Sequence, residues 1–290
     1  MKKKDKGRLW LWISMVLIAI LAILAGYFWG LEKSRQESER TAIERPKKEG
    51  PPPQPQPKTK ESKEGPTFSG EITQGKSFDS KEFCPRIEAE VQDFFKYLDK
   101  QSYVQHLEER PDTYGDFKRL LKKLSSHLPT PGGEGVDSTV MEKNIYHLFR
   151  ILSRSDIRLI KDIIANEADT LELNLEMFYR YLTLENRCPD PEGIRPSFDV
   201  LYHYAGFFLD TIGGRAYLSR RPMELRILLT YYSLLIIHEA DKRGKNTYGV
   251  DIFPHIAPLV EEIKLYPDFK LKKEYLQKLN QMESYYLKRR

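Results

Sequence analysis

The sequence predicts an all-α protein: one membrane-spanning helix, a tether, and a globular domain of about eight or nine helices. Three observations carry this. Residues 9–31 form an uncharged apolar run, residues 32–79 lack a core-forming pattern, and residues 80–290 place apolar side chains at helical spacing nearly throughout. Alternating strand runs and Asn-Gly hairpin signals are missing from the last segment.

The chain opens with a basic tail at residues 1–8, carrying Lys2, Lys3, Lys4, Lys6 and Arg8 against Asp5. The apolar run that follows is roughly 34 Å long as a helix at ~1.5 Å per residue, enough for a hydrocarbon core of ~30 Å. It holds all three tryptophans, with Trp10 and Trp12 near one end and Trp29 beside Tyr27 near the other, as an aromatic belt requires. A cleaved signal would carry a shorter apolar region ending at a small-residue site, a pattern absent here. Positive charge stays on the cytoplasmic side, so the expected orientation is N-terminus inside and domain outside.

Seven of the 18 prolines lie between Pro46 and Pro66, among Lys, Glu, Ser and Gly. Such a segment is solvated and partly polyproline II, with a coil span of roughly 35 Å. The basic character of the chain belongs here and to the tail. The tail holds five cations to one anion, and residues 32–66 hold nine to seven. Of the 47 and 42 in the whole chain, that leaves 33 cations and 34 anions beyond residue 66. A near-neutral domain carries no electrostatic footprint for nucleic acid.

Within residues 80–290, Ser80 can cap a helix with Ile87, Val91, Phe94, Phe95 and Leu98 on one face. Thr113 opens a second, with Tyr114, Phe117, Leu120, Leu121, Leu124 and Leu128. Residues 129–135, P-T-P-G-G-E-G, read as a break. Asp137 or Ser138 starts a third helix, with Val140, Met141, Ile145, Leu148, Phe149 and Leu152 as its apolar face. Ser155 is the expected cap of a fourth, and a fifth runs over about 168–184. After the loop at 186–193 come helices over 197–210, 222–241, 250–264 and 268–287, with Pro222 at a helix start and Gly244 as a stop. The domain can divide into sub-lobes 80–185 and 197–290.

The two cysteines, Cys84 and Cys188, are each followed by proline. An even count in an exported domain predicts one disulfide between them. Sixteen tyrosines and no tryptophan lie beyond the apolar run, mostly at core spacing, with a Tyr-lined groove as the sharper alternative.

Residues 70–77, G-E-I-T-Q-G-K-S, satisfy the phosphate-loop pattern in letters. The strand before it and the helix starting at the lysine, which the chemistry needs, are not predicted, so we expect no nucleotide site and no cofactor. The run His238-Glu239-Ala240-Asp241-Lys242 begins like a zinc-protease helix but has lysine where the second ligand belongs, so no metal site is expected. Serine-acylation signatures are absent, and no catalytic residue can be named. One cationic constellation stands out. Arg215, Arg220, Arg221 and Arg226 flank the start of the long helix and form a candidate anion- or partner-binding site.

The expected function is a protein-interaction or assembly module. It would be held in the periplasm by a single-pass anchor in the bacterial inner membrane, with the bilayer and another envelope protein as partners. The alternative is a tethered, glycan-cleaving envelope hydrolase using two carboxyls.

Overall fold

The computed structural model describes residues 80–289 apart from 108–110, 134–136 and 267. The apolar run, the tether and the 70–77 motif lie outside the described residues. The described residues fold into helices joined by loops, without a strand. In chain order the helices are α1 (Ser80–Asp99), α2 (Ser102–Gln105), α3 (Thr113–Ser126), α4 (Ser138–Ile145), α5 (His147–Ile151), α6 (Arg154–Asn166), α7 (Leu171–Leu182), α8 (Phe198–Asp210), α9 (Ile212–Leu218), α10 (Met223–Lys242), α11 (Phe253–Leu265) and α12 (Lys272–Leu287). They outnumber the eight or nine expected, because several are shorter than three turns. None of them is long and apolar enough to cross a membrane.

Local chemistry explains most boundaries. α1 buries Ile87, Val91, Phe94, Phe95 and Leu98, the face its spacing predicts. The side chain of Asp112 caps α3 by accepting from the Gly115 N–H. Thr113 turns inward and donates its hydroxyl to Phe95 O and Asp99 Oδ1. The cap of α6 is Ser153, not Ser155. Ser153 Oγ accepts from the Asp156 N–H, and the Asp156 carboxylate accepts from the Ser153 N–H, a reciprocal pair that Ser155 cannot make. α10 ends in a Schellman turn: the Lys245 N–H donates to Ala240 O while Gly244 sits at φ +64°.

A further expectation is corrected: the third helix is not continuous. It breaks at Tyr146 (φ −105°, ψ 13°) into α4 and α5, and Ile145 and Phe149, expected in the core, stand 36% and 55% exposed. The described part of the break expected at 129–135, residues 129–133, is non-helical, and Pro129, Pro131 and Gly132 in it are buried. The Asn144 amide grips Thr130 by both its N–H and its C=O, and His203 Nδ1 lies 2.8 Å from Pro129 O. Gly206 lets this strap lie on α8, where a Cβ would fall 2.4 Å from Pro131 Cβ.

The core has two clusters. The first joins α1 to α7 through Phe94, Phe95, Met177 and Tyr181, with the Phe117 ring of α3 tilted against Phe95 at 4.8 Å between ring centres. The second is centred on α10, which buries Leu225, Leu228, Tyr232, Leu234 and Ile237 and packs against α8, α11 and α12. Its apolar middle turns, with charged residues kept to the two ends, suit the centre of a helical stack. α7 contributes Leu171 to the second cluster and Met177 to the first.

Candidate interaction cleft

A hollow of about 1300 Å³ lies between α7, α10 and α12, with Glu185 and Arg187 also in its lining. Its floor is tyrosine. Tyr179 stacks on Tyr232 at 4.9 Å between ring centres, and Tyr231 lies 4.4 Å from Tyr275. The Tyr232 hydroxyl donates to Glu176 Oε2 (3.0 Å), and Arg180 Nε donates to Glu176 Oε1 (2.5 Å). Burial first, and then the negative charge of Glu176, push the Tyr179, Tyr231 and Tyr232 hydroxyls well above the usual phenol range. They remain protonated donors at any physiological pH.

The rim is built on Arg243, one turn beyond Glu239 near the end of α10. Its Nε donates to Glu239 Oε1 at 2.8 Å and its Nη1 to Glu185 Oε2 at 2.7 Å, while its guanidinium lies 4.4 Å over the Phe198 ring. Glu185 holds φ +47°, the left-handed region that non-glycine residues rarely adopt. The double pairing on Arg243 fixes it there. Burial works against the Glu239 carboxylate, but the Arg243 hydrogen bond and the Lys242 charge outweigh it and hold the group below its usual range. Burial, aided by Lys242, lowers His238 and favours its neutral ring, which faces Tyr285 edge-on at 4.9 Å. On the α12 side, Lys273, Gln277, Lys278 and Gln281 line the cleft from exposed positions.

This arrangement suits binding by surface complementarity. Amphipathic rings form the floor, and both rim and wall offer charges of both signs. The two carboxyls that burial raises, Glu90 and Glu224, do not line the cleft. Among the described residues no three His, Cys, Asp or Glu side chains converge as a metal would require.

The sequence-predicted sites fall elsewhere. Cys84 and Cys188 form a disulfide with Cα atoms 5.6 Å apart, joining the first turn of α1 to the segment after α7. The four arginines are not one cluster of free charge. Arg215 donates to Leu209 O and pairs with Asp210, and Arg226 pairs with Glu262. Arg221 lies 4.2 Å over the Tyr217 ring, and Arg220 is exposed. Gly213 and Gly214, read beside these arginines, serve packing in α9. A Cβ on Gly214 would fall 1.9 Å from Phe207 O, and one on Gly213 would fall 2.4 Å from Asn144 O. The motif expected to be a failed zinc helix puts His238, Glu239 and Lys242 on the cleft.

Family models, curated proteins and solved structures offer no match to this chain.

Proposed function

We propose that residues 80–290 are a protein-interaction module of a single-pass bacterial envelope protein. Residues 9–31 anchor it with the N-terminus inside, and residues 32–79 carry the module away from the bilayer. Its partner is a polar, mixed-charge segment of another envelope protein, seated in the α7–α10–α12 cleft. What supports the reading is the cleft itself: a tyrosine floor with fixed donors beneath a rim of arginine-paired carboxylates. A hydrolase would need one carboxyl kept protonated at the reacting bond. Of the four glutamates that line the cleft, Glu176, Glu185 and Glu239 are each held by an arginine, and Glu274 is exposed to solvent rather than buried.

The test is photo-crosslinking in cells expressing the full chain, with the photoreactive residue at Gln277 or Gln281 and a control at Lys122 on α3. The reading expects a discrete adduct from the cleft positions that is lost when Lys273 and Lys278 are changed to Glu. Absence of an adduct there, or equal adducts from Lys122, overturns it.

A further inference from the structure

The face that the break at Tyr146 leaves uncovered has a second use. Ile145, Tyr146, Phe149 and Ile212 are 36%, 57%, 55% and 58% exposed. They are grouped around the junction of α4, α5 and α9. The backbone of Gly213 lies against Asn144 and Ile145, which brings Ile212 to the same junction, and Phe149 lines a small hollow together with Tyr217 and Arg221. Soluble surfaces rarely gather large apolar side chains in this way without a partner.

The charge around the patch is mainly positive. Residues 142–158 and 210–221 hold six arginines and one lysine against three acids, Glu142, Asp156 and Asp210. Asp156 is already taken by Arg119 (3.3 Å) and Lys123 (3.2 Å), and Arg215 by Asp210. Arg150, Arg154 and Arg220 are exposed and have no acidic partner among the described residues, and Arg221 meets only the face of Tyr217.

We propose that this face docks on an anionic lipid surface, with Tyr146 and Phe149 entering the headgroup boundary and the arginines meeting lipid phosphates. Aromatic and aliphatic side chains ringed by arginine are the composition that interfacial binding uses. The proposal gains from the anchor reading. A tether of residues 32–79 with a root-mean-square span of roughly 35–40 Å lets the domain return to the bilayer at high effective concentration. It does not depend on what fills the cleft.

The test uses the full chain mixed with vesicles of phosphatidylcholine, alone or with phosphatidylglycerol added. An environment-sensitive fluorophore is placed on Tyr146→Cys, with Gln281→Cys as the control. Both native cysteines are consumed by the disulfide, so labelling is selective. The expected result is a blue shift at position 146 with anionic vesicles only. The ratio of shifted to unshifted fluorophore at position 146 should fall roughly five-fold for each of Arg150→Gln and Arg220→Gln, and further at high salt. Phe149→Ser should abolish the shift without lowering the melting temperature, since its ring is more than half exposed. A folded protein that shows no shift with anionic vesicles overturns the proposal, as does a shift produced by polyglutamate and not by lipid. Extraction of the same vesicles with alkaline carbonate tests the anchor separately. Release of the chain refutes the span at 9–31, whatever the fluorophore reports.

Discussion

Removing the Cys84–Cys188 bond should cost this domain a large part of its stability. The bond closes a loop with a sequence separation of 104 residues. On the chain-entropy view, a loop of this size restrains the unfolded ensemble by about 4.7 kcal/mol. Cys188 is 6% exposed and belongs to the α1–α7 cluster, so any packing lost with the bond adds to this cost. For a domain of this length, each kcal/mol moves the melting temperature by about 2–4 °C, which gives a fall of about 10–18 °C. The assay is thermal unfolding of the full chain in detergent, followed by near-ultraviolet circular dichroism. It compares the oxidised protein, the reduced protein and the Cys84→Ala/Cys188→Ala variant. A drop under about 3 °C would refute the reasoning, because it would mean that the cross-link does not constrain the folded chain's competitor.

Three further outcomes follow from particular residues. Glu172 is 5% exposed and accepts from the Lys270 and Leu271 N–H groups at 2.8 and 2.9 Å, so Glu172→Gln should cost about 2–3 kcal/mol in urea unfolding. Gly214→Ala, whose Cβ would strike Phe207 backbone, should cost about 3 kcal/mol or more, whereas Gly244→Ala, at φ +64° with open space, should cost only about 1 kcal/mol. Acid should destabilise the domain in two windows. Burial lowers His147, His238 and His255, so the unfolded chain takes up protons first, and their contribution, full above about pH 6.5, fades as the pH falls below it. Burial opposes the Asp156 carboxylate, but Ser153 and Lys123 outweigh it and hold the group low. Its contribution is therefore present above about pH 4 and is lost below, and Asp156→Asn should flatten that lower window of a pH–stability profile.

Helix faces were legible where burial is one-sided. On α1 the spacing from Ile87 to Leu98 names the buried stripe, and the glycine stop at Gly244 marks the end of α10. The cysteine pairing followed from parity and the expected compartment. Ser153 and Ser155 are equally good caps by type, and only the reciprocal bond with Asp156 decides between them. The break at Tyr146 has no glycine or proline to announce it. It arises in three dimensions, where Asn144 is fixed on the Thr130 strap and the backbone of Gly213 presses against Ile145. The cleft was hidden for a related reason. Glu176–Arg180 and Glu239–Arg243 are ordinary pairs one turn apart, and local spacing does not say that two helices separated by the stretch from Leu182 to Met223 will set them around one hollow.

The measurement that bears most directly on the proposal that this disulfide-closed domain is tethered and exported is thiol labelling in intact cells. A membrane-impermeant maleimide is applied after the outer membrane is permeabilised, with and without reductant. The account predicts labelling of Cys84 and Cys188 only after reduction. Labelling that needs cell lysis but no reductant would contradict it, placing the domain in the cytoplasm with both thiols free.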